Sequence, residues 1–351
     1  MNEITEIFRR IKTNEATWDD YSYLLNLDES DLKPFLELAQ IITRKNFMNN
    51  LKIYVPNKKF PAISITGTEC ELHCEHCDGK YLAGMKPITD KIKLEQFFLD
   101  FAKNKGVGVL ISGGCKSDGS VPIDKFIDSI KRVKKETNLI INTHTGLLNE
   151  ITAKKLADAG VDLISFDVNM DEEVINEIYH LDKNLSEYEK AINILKKYDL
   201  NVVPHICVGL HYGTLHKELE SIKLIKKLMV NPLLIVVIAL IPPKKSNSKF
   251  KRPNPIDIAK IILIIRLLFP ETEISLGCMR PRGNIKVDVE KLAIQAGITR
   301  IEIPSKKTLK WLRRINPQVE LSYFSACCAI PEEHEDLARS EISDIKRYLK
   351  I

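Results

Sequence analysis

Three thiols fall within one short stretch, Cys70-Glu-Leu-His-Cys74-Glu-His-Cys77, spaced C-x3-C-x2-C. Three thiolates on one loop can bind three irons of a [4Fe–4S] cube and leave the fourth iron open to a ligand. A structural zinc ion would want four closed ligands, and His73 or His76 could supply the fourth. No second ligand pair lies nearby, unlike the paired spacing of zinc ribbons, so the cube is the favoured reading. The chain holds eight cysteines in all. In a reducing compartment clustered thiols serve as metal ligands more often than as disulfides. Of the remaining five, Cys207 lies between Ile206 and Val208 and reads as a buried apolar thiol.

The elements that must position this loop follow a strand–helix rhythm. Apolar, often β-branched runs occur at 62–66, 107–112, 139–143, 163–168, 202–208, 233–240, 273–276 and 301–303. Amphipathic stretches at 92–104, 121–136, 150–159, 186–198, 214–228, 255–268 and 287–296 separate them. Such alternation predicts an α/β fold with a parallel sheet and crossover helices. Eight strands close a barrel, so a (β/α)8 TIM-type barrel is expected, with a doubly wound open sheet as the alternative. The cysteine loop directly follows the first run, at what would be the C-terminal mouth, where active sites of that fold lie. Residues 1–58 read as an N-terminal helical extension, 59–305 as the barrel, and 306–351 as a C-terminal extension capping it.

Of the 351 residues, 44% are hydrophobic and 28% charged, which excludes a mainly disordered chain. A net charge of +5 is too small to imply nucleic-acid binding. The apolar runs 233–241 and 261–269 are too short for a membrane span. The N-terminus lacks the apolar core of a secretory signal, so a cytoplasmic protein is expected.

A C-x3-C-x2-C loop after the first strand of a β/α barrel resembles the radical S-adenosylmethionine (SAM) superfamily. The resemblance implies SAM chelated by the open iron and cleaved to methionine and a 5′-deoxyadenosyl radical. It implies that His76, just before the third cysteine, packs on adenine. Ser112-Gly113-Gly114-Cys115 stands where the family commonly has a Gly-Gly-Glu that binds the methionine ammonium; Cys115 replaces the acid. Asp167 and Asn169 at the end of the fourth run suit the ribose hydroxyls. His205-Ile206-Cys207-Val208-Gly209 resembles the family's adenine-side segment, which makes Ile206 and Val208 cofactor contacts, whereas His205 reads as barrel lining.

Cys115, Cys278, Cys327 and Cys328 are candidates for a second, auxiliary iron–sulfur cluster. Arg280 and Arg282 could neutralise its charge, ligate it, or simply form salt bridges. The Gly-Gly-Cys loop, the Gly-Cys-Met-Arg-Pro-Arg-Gly segment at 277–283 and the Cys327–Cys328 pair are similar to the biotin synthase-like branch, specifically to archaeal two-component lipoyl synthases. That resemblance implies sulfur insertion into an unactivated C–H bond. The alternatives are a radical SAM mutase, lyase or methyltransferase without sulfur chemistry, and a non-catalytic zinc-binding protein. Implied partners are a small-molecule or acyl-carrier-bound substrate, an electron donor such as ferredoxin or flavodoxin, and a second radical SAM subunit. The basic loop 244–252 could dock an acidic carrier or redox protein.

Overall fold

The structure is a computed structural model that describes residues 3–229, 231–244 and 249–349. Three helices come first: α1 (Glu3–Lys12), α2 (Trp18–Leu24) and α3 (Glu29–Phe47). The Asp20 carboxylate accepts the Thr17 backbone N–H at 2.8 Å, which starts α2 with a cap. Then come β1 (Asn50–Tyr54), β2 (Ala62–Ser64), the short β3 (Lys86–Pro87), α4 (Lys91–Lys103), β4 (Gly108–Ser112), α5 (Ile127–Glu136), β5 (Ile140–His144), α6 (Glu150–Asp158) and β6 (Leu163–Asp167). They are followed by α7 (Ser186–Lys197), β7 (Val202–Val208), α8 (Glu218–Leu228), β8 (Leu234–Ala239), α9 (Pro255–Leu268), β9 (Glu273–Leu276), α10 (Lys286–Gln295) and β10 (Arg300–Glu302). The tail contributes α11 (Lys306–Ile315), β11 (Glu320–Phe324), α12 (Glu335–Ala338) and α13 (Ile342–Leu349).

All eight expected strands form, each within one or two residues of its run, and their order in the sheet is their order in the chain. The sheet has eleven strands, not eight: its order is β11-β1-β10-β9-β8-β7-β6-β5-β4-β2-β3, and every ladder is parallel. β10 does not zip onto β2. β1 and β11 follow β10 instead, so the barrel stays open at one seam. The physical reason is the first and last segments, each of which adds a strand where closure would otherwise occur.

α3 packs on α9 and α10. The tail enters the interior from the end at which the strands begin. There Ala326, Cys328, Ala329 and Ile330 join one buried cluster with Phe60, Val107, Ile140, Leu163, Val203 and Leu234. The tail therefore plugs the floor of the barrel, opposite the mouth it was expected to cover.

Charge fixes the plug. Arg300 is fully buried on β10 and pairs with Glu273 on β9 and, at 2.9 Å, with Glu335 of α12. It donates to the Ile330 carbonyl at 2.5 Å. Lys52 on β1 reaches Glu273 at 3.0 Å and Glu335 at 2.9 Å. Three strands and the tail thus share one buried network, which satisfies charges that would be costly alone. The loop 244–252 follows β8 on the mouth side, and its residues 245–248 lie outside the described residues.

Candidate functional site

The cysteine loop leaves β2 and is tied down on two sides. On one side Thr66 Oγ1 donates to the Glu69 carbonyl at 2.9 Å and accepts the Gly114 N–H at 2.7 Å. The Glu71 N–H donates to the Cys115 carbonyl at 2.9 Å. Gly114 can be nothing but glycine here: a Cβ would collide with the Glu69 carbonyl and the Cys70 backbone. On the other side the Glu75 N–H donates to the Ile178 carbonyl at 2.9 Å, and the Cys74 thiol to the Tyr179 carbonyl at 3.6 Å. Positive φ at His73 and Asp78 turns the loop back on itself.

The result is a cavity of about 300 Å³ lined by Cys70, Cys74 and Cys77 together with His76, Ser112, Gly113, Gly114, Cys115, His144 and Asp167. Ligand atoms of Cys74, His76 and Cys77 lie within 4.8 Å of one another. The adjacent Cys74 thiol holds the pKa of Cys77 down to about 4, and the neighbouring Cys77 sulfur together with burial pushes that of Cys74 up. Such a thiolate is a metal ligand in waiting. His76 also bonds toward Cys77 and packs near Tyr179, ring centroids 5.4 Å apart. Its Nδ1 is buried without a partner. Soft donors around an open cavity fit an iron–sulfur cube with room for a small-molecule ligand.

Several expected contacts land elsewhere. Ile206 and Val208 are buried in the layer between sheet and helices, because odd and even residues of β7 face opposite sides. Their side chains do not line the cavity. Asn169 lies in a separate small recess with Asp171, His211 and Glu218, where its Oδ1 accepts the Asp171 N–H at 3.0 Å. Cys207 packs against a small apolar cluster around Val174, Ile178 and Leu210.

The four further cysteines divide. Cys115 joins the mouth cavity, and burial pushes its pKa up to about 12. Cys278, Cys327 and Cys328 gather deeper, around Glu302. The Cys328 thiol donates to the Glu302 carboxylate at 3.7 Å, and Cys278 lies near the same carboxylate. Cys327 adjoins Cys328, and Asn142 of β5 approaches the Cys327 sulfur at 4.0 Å. Cys278 keeps open surface, and the surrounding protein pushes its pKa well up. Burial raises Glu302 to about 7. Arg280 is committed to protein partners: the Gly277 and Glu302 carbonyls, each at 2.6 Å, and the Glu290 carboxylate at 2.8 Å. It braces β9 against β10 as a salt-bridging residue. Arg282 is exposed.

Between the two thiol sets stand residues the motifs do not mark. His144 and His205 face each other with centroids 5.4 Å apart. Burial lowers the pKa of His144, and burial with the neighbouring imidazole lowers that of His205 to about 4. His205 Nδ1 lies 2.9 Å from the Val203 carbonyl and donates to it. Ser165 Oγ donates to Asn142 Oδ1 at 3.0 Å. The one signal for this set was polar residues at alternate positions of otherwise apolar strands, Asn142 and His144 on β5 and Ser165 and Asp167 on β6.

Among the described residues no helix is long and apolar enough to cross a membrane. Over its length the chain is similar to biotin synthases. It is 26% identical to that of Buchnera aphidicola subsp. Acyrthosiphon pisum over 86% of each chain. It is 25% identical to that of Methanococcus aeolicus over 84% of this chain and 90% of the relative. Its fold is similar to a maturase of the [FeFe]-hydrogenase, with TM-score 0.66 and 17% identity over 99% of this chain and 73% of that one. It is also similar to methylornithine synthase, with TM-score 0.60 and 18% identity over 98% and 95%. The sequence model of the radical SAM superfamily matches residues 64–242, the span from β2 through β8 that carries the cysteine loop and its cavity. The chain belongs to the radical SAM superfamily.

Proposed function

We propose that this radical SAM enzyme inserts sulfur into an unactivated C–H bond. The observation that carries the reading is a second thiol set apart from the mouth cavity, with the Cys328 thiol on the Glu302 carboxylate and Cys278 and Cys327 beside it. The likeness to biotin synthases supports it. When bound, a [4Fe–4S] cube on Cys70, Cys74 and Cys77 with SAM supplies a radical that abstracts hydrogen from carbon, and an auxiliary iron–sulfur cluster on the second set supplies sulfur.

The chain's own residues bind, orient and exclude. Gly113 and Gly114 let the backbone after β4 approach the SAM methionine. Asp167 offers acceptors to the ribose hydroxyls. His76 offers a flat ring to adenine. The tail plug and the rolled sheet keep water from the interior, which a primary alkyl radical requires. Asn142, Ser165, His144 and His205 line the path between the two thiol sets and orient the substrate. Both imidazoles are neutral at physiological pH, so they bind through hydrogen bonds without adding charge. The reading includes a reductant of the ferredoxin or flavodoxin class, and a substrate carried on an acidic protein that docks at the basic loop after β8.

Anaerobic reconstitution tests it. Two cubes require about eight irons per chain and one cube about four. Cys278→Ala should lower iron by about two to four per chain. It should still form 5′-deoxyadenosine with dithionite, but no thiolated product. Replacing Cys70, Cys74 and Cys77 by Ala should abolish 5′-deoxyadenosine. Unchanged iron and an unchanged Mössbauer spectrum in Cys278→Ala would remove the auxiliary cluster and leave a radical SAM reaction without sulfur.

A further inference from the structure

On the outer rim of the mouth, away from both thiol sets, Glu173, His211 and His216 bring one ligand atom each to within 4.8 Å of one another. Tetrahedral zinc with bonds of about 2.0–2.1 Å sets its donors about 3.3 Å apart, so binding draws the three side chains together and turns one imidazole out of the stack. His211 Nε2 already lies 2.9 Å from Glu173 Oε2. The two imidazoles stack with centroids 4.1 Å apart and planes 23° from parallel.

The surroundings orient these groups. His216 Nδ1 lies 2.7 Å from Asp171 Oδ2 and donates to it, which leaves Nε2 free. Asp171 is itself buried and held: its N–H donates to Asn169 Oδ1, and its Oδ1 accepts the Val174 N–H at 3.3 Å. A buried carboxylate on the far nitrogen of a histidine is the arrangement that fixes a metal-ligating imidazole. The loop carrying both histidines is rigid as well. The buried Glu218 carboxylate accepts the Gly209 N–H at 2.8 Å and the His216 N–H at 2.7 Å. An antiparallel bridge joins His211 to Thr214 across the turn. Each of the three side chains keeps open surface, so an ion and a water can enter.

We propose that Glu173, His211 and His216 bind a divalent transition ion of the zinc class, with water in the fourth position. Two imidazoles and one carboxylate suit zinc better than magnesium or calcium, which prefer oxygen-only shells. The ion staples the segment after β6 to the loop after β7. That segment continues to Ile178 and Tyr179, whose carbonyls anchor Glu75 and Cys74, so the staple braces one wall of the cysteine loop. This site is independent of whether the enzyme inserts sulfur.

The test uses full-length protein reconstituted anaerobically with iron and sulfide, then equilibrated with zinc and desalted. Expected is about one zinc per chain, with a zinc K-edge first shell of nitrogen and oxygen only at about 2.0–2.1 Å. His216→Gln and the exposed Glu173→Gln should lose that zinc while iron per chain stays at the wild-type value. Asp171→Asn should weaken zinc binding by about 10–100-fold in a chelator competition. No retained zinc, a shell with sulfur at about 2.3 Å, or full zinc in both ligand variants would each overturn the proposal. Because Glu173 is mostly exposed, its variant keeps the fold and decides the matter if His216→Gln does not fold.

Discussion

Single atoms decide how the cysteine loop sits. Cys70, Cys74 and Cys77 are legible in the sequence because their spacing is chemistry written in one dimension. What supports them is not: Thr66, Tyr179 and the Ile178 carbonyl act through contacts made only after folding. Gly114 lies between these cases. A glycine pair after a strand signals close approach, but only the structure shows that the approach is to the Glu69 carbonyl and the Cys70 backbone. Gly114→Ala must therefore push the two loops apart, since backbone cannot yield as a side-chain tip can. The expected cost is about 1–3 kcal/mol in stability, with Cys70 displaced. Iron bound at the mouth and 5′-deoxyadenosine formation should both fall at least tenfold. Gly84→Ala is the matched control, since a Cβ there meets nothing within 4 Å. Equal iron and equal 5′-deoxyadenosine in the two variants would show that the close approach does not matter.

Element boundaries were legible wherever periodicity was strong. The run at 202–208 became β7 without change, and the Asn254–Pro255 start gave α9, where Asn254 caps the Ile256 N–H at 3.2 Å. Strand partners were not legible, because a sequence carries no record of which edges meet. β1 is a five-residue strand, Asn-Leu-Lys-Ile-Tyr, hidden behind three helices, and its Lys52 and Tyr54 read as polar interruptions. In the structure both face buried carboxylates: Lys52 reaches Glu273 and Glu335, and the Tyr54 hydroxyl bonds to Glu335 at 2.5 Å. Arg300 is the centre of that network and the latch of the tail. Arg300→Met keeps much of the volume but leaves Glu273 and Glu335 short of a cation, with Lys52 a partial substitute. Removal of one partner from a buried network costs about 3–5 kcal/mol. The tail residues beyond Phe324 should become protease-sensitive before the rest of the barrel. Cleavage that begins in α3 or β2, with the tail intact, would show that the network does not hold the plug.

Across the whole molecule, the two thiol sets come from opposite ends of the chain. One rides on the loop after β2. The other combines the turn after β9 with the tail, and the sheet must roll up before the second exists at all. Between them the interior carries titratable groups whose shifts oppose each other. His205 titrates near 4 in the fold against an ordinary 6.5, so acidification below 6.5 protonates the unfolded chain first and removes stability. His144, also lowered, adds to that direction. Glu302 titrates near 7 against an ordinary 4.5. A raised acid contributes stability that is fully present below 4.5 and is lost as pH rises through 7. Between pH 4.5 and 6.5 the His205 and Glu302 contributions therefore largely cancel, each worth about 1.4 kcal/mol per pH unit per proton. Single variants should uncover them with opposite signs. Relative to wild type, His205→Gln should gain stability on acidification from 6.5 to 4.5, and Glu302→Gln should lose it more steeply. Urea titrations of the metal-free, reduced protein across that window measure both slopes. Three parallel curves would mean that neither group changes its proton affinity on folding, and that the barrel interior is wetter than its packing implies.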